Sequence, residues 1–575
     1  MVTLVKNSSD KMIKCFLSTL LFLSLSTLLA QEKYPQDYFE SPLDIPLILS
    51  GTFGELRSNH FHAGIDIKTQ RRQGLPVYAI ADGTVTRIKI SLWGYGKALY
   101  VAHPNGYTSV YAHLQKFSPE IEAYIKKEQY KKQSYEIELF PKLGELSVTK
   151  KSIIAYTGNS GGSSGPHLHF EIRSSITEKP TNPLLYGYDV RDATDPAVIG
   201  LFGYPLSKDA HVNGNQEKIQ LSFNRQVNGS FLADKVSALG TIGFGFNGFD
   251  KQDMAANKNG VYSVRQTVNG KVYSEYDFET FSFGETRYIN TFIDYEHFGK
   301  LRQRIQKCFK ESSNRLGIYN TLYNDGKINV QEGLSYSVEL LISDVKGNDI
   351  KVIIPVEGKS PTTLRPKKIL KTDMYVLANK PNSFDLGGAK VFFPVNTFYK
   401  DFYIDLKKGK DTVGIHNKTA AVHRNFTLTF DVSKYSEKER KQLFIARIDD
   451  DGDPHYTRTY KRNGIFTART RNLGSYTLMK DTIPPTIHPR NFKEKQWLKN
   501  YDYLSLRITD DLSGIKDYSA TLNGTWILME YEPKTKTITY NFDERIANLT
   551  ECNLKVFVTD NVGNSTTFES TFFTK

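Results

Sequence analysis

Two short runs hold the side chains best suited to chemistry: His60-Phe61-His62-Ala63-Gly64-Ile65-Asp66 and His167-Leu168-His169-Phe170-Glu171. Imidazole is the commonest metal-binding side chain. Imidazoles with a carboxylate, leaving one coordination position to water, make a catalytic zinc site. Half of the twelve histidines of this 575-residue chain fall between His60 and His169, so one region is marked out for that chemistry.

Such ligands need strands to present them. Side chains alternate faces along a strand. Read that way, His167, His169 and Glu171 share one face, while Leu168, Phe170 and Ile172 enter a core. His62, Gly64 and Asp66 share a face in the same manner, with Gly64 leaving space between the two ligands. Two strands thus present His62, Asp66 and His169 to one metal. Tyr111-Ala112-His113-Leu114 closes another strand beyond the turn at Asn105-Gly106, and His113 is a candidate imidazole for supporting the ligands or for catalysis. The Gly/Ser-rich run 158–166 leads into His167 and lets backbone approach a bound chain closely. No His-Glu-x-x-His helix occurs in the chain, so acid–base work falls to histidines. Glu171 reads as an outer support of the site or a surface group. His60 reads as groove-lining or structural, and Arg57 and Asn59 as groove or plain loop. The remaining histidines read as structural.

The texture around these motifs is short alternating runs and turn dipeptides, the signal of hairpins. An insertion at about 117–142, in which 119–127 reads as a short charged helix, interrupts it. The chain is too long for one core, and 34 Tyr and 35 Phe favour pleated surfaces. The fold class predicted is mainly β: an N-terminal β-rich domain at 31–200 (core 47–183), then β-sandwich-like domains at 203–358 and 359–480 and an immunoglobulin-like one at 481–575. A helix near 295–309 is expected in the first of these. Ile342-Ser343-Asp344-Val345-Lys346-Gly347-Asn348 and Val558-Thr559-Asp560-Asn561-Val562-Gly563-Asn564 look alike, each a strand running into an Asp-x-x-Gly-Asn turn.

Residues 1–30 read as a secretion signal, with Lys6, Lys11 and Lys14 ahead of an apolar run at 15–29. That run is shorter than the roughly 20 residues a spanning helix needs. No later segment is apolar enough to span a bilayer, so the protein is expected in the periplasm, at the outer surface or secreted. Losing the signal takes the formal +13 to about +11, which suits a polyanionic envelope partner; no nucleic-acid motif is present. Cys308 and Cys552 are the only cysteines after the signal, too few and too far apart for a disulfide scaffold.

In order along the chain, His62-x-x-x-Asp66, Tyr111-x-His113-Leu114 and the Gly/Ser run ending in Pro166-His167-Leu168-His169-Phe170 resemble the lysostaphin-type or LytM-like zinc metallopeptidases, over about 47–183. The resemblance implies a duplicated-hybrid-motif β fold and one Zn2+ per catalytic domain, held by His62, Asp66 and His169. It implies His113 and His167 as the catalytic histidines. The expected activity is hydrolysis of peptide bonds in peptidoglycan cross-links or stems. Two alternatives stand beside it: a non-catalytic wall-binding regulator on the same fold, or a secreted protease acting on other proteins. The C-terminal domains are candidate contacts for an envelope protein partner.

Overall fold

The computed structural model describes residues 33–409, 412–547 and 549–574; the signal segment lies outside them. Strands hold 45% of the described residues and helices 8%, so the molecule is mainly β, as the sequence predicts. No helix among the described residues is long and apolar enough to cross a membrane.

The N-terminal domain is built on strands β1 (Leu49–Gly51), β2 (Ile65–Lys68), β3 (Pro76–Tyr78), β4 (Gly83–Ile90), β5 (Lys97–Ala102), β6 (Tyr107–Ala112), β7 (Leu114–Phe117), β8 (Ile137–Leu139), β9 (Ser147–Val148), β10 (Ile153–Thr157) and β11 (His167–Ser174). The main sheet runs β1-β2-β11-β6-β5-β4-β8, and a smaller one runs β3-β10-β7. β11 is central: it pairs antiparallel with β2, His169 opposite Asp66, and with β6, His169 opposite Ala112. Leu168, Phe170 and Ile172 are fully buried with Ile65, Ile67, Leu99 and Tyr111. Burial of each such side chain is worth roughly 1.5–3 kcal/mol, and the alternation turns His169 and Glu171 to the other face.

The insertion forms α1 (Pro119–Lys132). Pro119 opens it, Glu120 and Glu122 lie in its first turn and Lys131 and Lys132 in its last, a charge order that complements the helix dipole. Ile121 and Ile125 bury its inner face.

His62 is not on a strand. β2 begins only at Ile65, and residues 52–63 run as a loop crossing to the following domain. Phe53, Phe61 and Ala63 are buried in that domain's core, against Phe278, Phe281 and Phe292. Gly64 serves close approach to the β11 backbone rather than space between ligands: a Cβ there would lie 2.3 Å from the Phe170 carbonyl.

The second core belongs to a sheet system threaded by the long strand Val236–Phe249. The helix expected near 295–309 spans only Tyr295–Leu301, capped by Asp294 and ended by Arg302 in a left-handed conformation, so the segment after it is not helical. Residues 373–480 form two five-stranded sheets and residues 486–573 two four-stranded sheets, each pair enclosing its own core. Both Asp-x-x-Gly-Asn runs form the turn between paired strands. Cys308 and Cys552 are buried and unpaired.

Candidate metal centre

The three expected ligands meet. His62 Nε2 lies 3.0 Å from Asp66 Oδ1 and 3.0 Å from His169 Nδ1, and His169 Nδ1 lies 2.9 Å from Asp66 Oδ1. Ligands about 2.0 Å from a tetrahedral ion stand about 3.3 Å apart, so this triangle has close to the size of one face of a zinc tetrahedron. All three side chains are buried.

Hydrogen bonds on the outer side fix which ring nitrogen faces inward. His62 Nδ1–H donates to the Thr52 carbonyl at 2.8 Å. His169 Nε2–H donates to Glu171 Oε1 at 2.8 Å. A carbonyl and a carboxylate only accept, so each imidazole turns its lone pair into the triangle, the state a metal requires. Against burial, hydrogen bonds to Asp66 and Glu171 push His169 up to about 9. Against burial, the charge of His62 and hydrogen bonds from His167 and His169 hold the Asp66 carboxyl well below the usual carboxylate range. With no cation present the two acids draw a proton onto His169; a divalent ion competes for that same place.

His113 and His167 flank the triangle, their ring centroids 4.8 Å apart, and His113 lies 5.9 Å from His169. His113 sits between β6 and β7 with φ of 58°, a left-handed turn that swings its ring onto the site. Its Nδ1–H donates to the Ser160 carbonyl at 2.8 Å. Burial, then repulsion from His169 and His167, pushes it down to about 3, so the ring is neutral with Nε2 free to accept. His167 Nδ1 is held by the Gly165 carbonyl at 2.9 Å, and its Nε2 lies 3.4 Å from Asp66 Oδ1. The Gly/Ser run is one wall of the site. It locks onto the turn before β5 through Gly162 N to Gly94 O and onto β7 through Ser160 Oγ to Leu114 O, both 2.8 Å. A Cβ on Gly161 would lie 2.3 Å from Gly96 N.

A family model described as Peptidase family M23 matches residues 60–130, and a Zu5-like domain model matches residues 373–481. The DD-carboxypeptidase/endopeptidase Mpg of Neisseria meningitidis is 35% identical over 129 residues, 22% of this chain and 23% of that protein. The N-terminal domain is a LytM-like member of peptidase family M23. An uncharacterized metalloprotease of Haemophilus influenzae is 34% identical over 123 residues, 21% of this chain and 20% of that protein. The chain thus spans less than a quarter of the length of these relatives. A zinc containing peptidase from Vibrio cholerae, a solved structure, is 26% identical, covering 26% of this chain and 39% of that one with a TM-score of 0.19.

The M23 domain also uses residues that the sequence reading left undecided or did not select. Glu171 is fully buried, and its second oxygen takes Arg173 Nε at 2.6 Å. Tyr95 hydrogen-bonds Glu171 and stacks on His169 with centroids 5.1 Å apart. Arg173 continues the alternation of His169 and Glu171, so its parity was readable. Tyr95 sits in a Gly94-Tyr95-Gly96 turn whose sequence carries no such signal. Of the residues left open, Arg57 reaches Asp66 Oδ2 at 3.3 Å, and Asn59 accepts hydrogen bonds from Arg287 and Asn290 of the second domain. The His60 ring bonds the Ser58 carbonyl.

Proposed function

We propose that the M23 domain is a zinc-dependent endopeptidase of exported location that hydrolyses peptide bonds in peptidoglycan. The observation that carries this reading is the buried triangle of two lone-pair-presenting imidazoles and one carboxylate, with two further imidazoles beside it. His62, Asp66 and His169 would hold the ion. When bound, zinc supplies Lewis acidity toward a scissile carbonyl and acidifies water at neutral pH.

The chain's own residues supply the rest. Neutral His113 accepts a proton at Nε2 from the attacking water. His167, the more exposed of the two, has its Nδ1–H on the Gly165 carbonyl and, as the imidazolium, donates from Nε2 to the oxygen that gains charge in the tetrahedral transition state. The Gly158–Pro166 run and the turn carrying the exposed Trp93 line the approach for an extended peptide. Intact ligands and both flanking histidines favour an enzyme over a regulator. The relatives' names, DD-carboxypeptidase/endopeptidase and metalloprotease, support the reaction class and the wall as substrate. The three following domains are assigned to contacts with the wall or an envelope protein.

The test is metal content of the purified chain together with mass analysis of peptides released from sacculi. One zinc per chain and new peptide termini are expected, with chelation reversibly stopping release. Release of nothing from sacculi by zinc-loaded protein, with cleavage of denatured proteins instead, would move the substrate away from the wall.

A further inference from the structure

A second group of ligating side chains lies at the seam between the M23 domain and the domain after it. Asp192 is on the connecting segment, Asp250 follows strand Val236–Phe249, and Asp344 follows strand Ser335–Ser343. One carboxylate oxygen from each lies within 4.8 Å of the others. Asp250 and Asp344 are 5% and 4% exposed. Among the described residues no lysine or arginine forms an ion pair with any of the three.

The Asp344 carboxylate is well supplied. It accepts the amides of Lys346 and Asn348 and the Asn348 carboxamide, which also donates to the Asp192 carbonyl at 3.2 Å. Asp250 is not: its Oδ1 is buried with no hydrogen-bond partner. Asn259, its cross-strand neighbour, is 3% exposed, and neither polar atom of its carboxamide has a partner. Asp192, Asp250 and Asn259 line one cavity. An unpaired buried carboxylate is among the costliest groups to place inside a protein. Burial, then repulsion from Asp192 and Asp344, pushes Asp250 up to about 7, which agrees with a cluster that no cation among the described residues neutralises.

The chain contains its own contrast. Asp481, Asp510 and Asp560 form a like trio beside the other Asp-x-x-Gly-Asn turn. There each carboxylate takes at least two backbone amides: Ile483 and Ser513 on Asp481, Leu512 and Gly514 on Asp510, and Val562, Gly563 and Asn564 on Asp560. The first trio differs in having an orphaned acid and an orphaned amide facing one space.

We propose that Asp192, Asp250, Asp344 and the Asn259 carboxamide oxygen bind a calcium ion that pins the connecting segment to the second domain. The donors are all oxygen, which selects a hard cation over zinc. Calcium takes oxygens at about 2.3–2.6 Å in flexible geometry, so ligands across the ion stand up to about 5 Å apart, the spread seen here. Magnesium requires a tighter octahedron at about 2.0–2.1 Å.

Terbium is the probe, since Tyr262 lines the cavity and sensitises a bound lanthanide. The zinc-loaded full chain is expected to show tyrosine-sensitised terbium emission that calcium displaces, and a calcium-dependent rise in Tm. Asp250→Asn should lose both, lowering terbium affinity at least tenfold, while its calcium-free Tm rises because the repulsion is gone. Asp192→Asn, on the connecting segment, gives the same test if Asp250→Asn does not fold. Asp510→Asn should leave emission and calcium response as in the unaltered chain. The proposal is overturned if the unaltered chain shows no calcium response, if the Asp250→Asn and Asp192→Asn chains respond as it does, or if Asp510→Asn alone removes the signal.

Discussion

His169 and His62 bring their nitrogens to 3.0 Å, yet they reach that point by different routes. His169 sits in the middle of a sheet, hydrogen-bonded on both sides through β2 and β6, with Leu168 and Phe170 anchoring it to the M23 core. His62 sits in a loop whose flanking Phe61 and Ala63 are buried in another domain's core. The Phe61 amide is held by Thr286 Oγ1 at 2.7 Å. One half of the centre is therefore fixed by strand periodicity and the other by the packing of a neighbouring domain. The candidate metal site of the M23 domain thus takes one of its three side chains from a loop packed into the domain after it.

The largest effect expected tests what the halves share. Asp66→Ala and His169→Ala should each abolish zinc binding and peptide release, measured by metal content and by sacculus digestion. The next separates the halves. Phe61→Ala removes a buried ring, costing about 3–5 kcal/mol. It should lower the melting temperature of the second domain and weaken zinc binding together. Unchanged zinc affinity in this variant would mean that the N-terminal domain holds His62 unaided. Smaller still is Glu171→Gln on the sheet side. Loss of the charged partner of His169 Nε2 should reduce zinc affinity about 10–100-fold, read by chelator competition.

The mildest effect is on pH dependence. In zinc-free protein His169 titrates at about 9 when folded against about 6.5 when unfolded. The stability this adds is fully present below pH 6.5 and is lost as pH rises toward 9. Zinc takes the proton's place, so unfolding of the loaded protein should show no such loss across that window. Persistence of the loss with zinc bound would place the metal elsewhere.

The β11 side of the site was legible because a two-residue period states both what enters the core and what faces the ligand. The same parity runs on to Arg173, which closes the chain of contacts from His169 through Glu171. The His62 side was legible only as a spacing. Its four-residue step to Asp66 named the right pair, but reading it as a strand placed His62 on an element that starts three residues later. Tyr95 left no trace in the sequence, because a ring in a glycine turn is stacked on His169 by the folding of the whole sheet. The two Asp-x-x-Gly-Asn turns were visible as a repeat. Their unequal surroundings were not, since an orphaned oxygen on Asp250 depends on which amides happen to reach it.

By itself the sequence determined the residue types, their parity on β11 and the ordered motifs, because alternation and spacing are local properties of a chain. Only the tertiary structure decided that Phe61 anchors His62 in a second domain. It alone decided that Tyr95 stacks on His169, and that Asp192, Asp250 and Asn259 line one cavity. Those facts join residues far apart in the chain, and a contact across that distance is fixed by how whole cores pack rather than by any neighbouring residue.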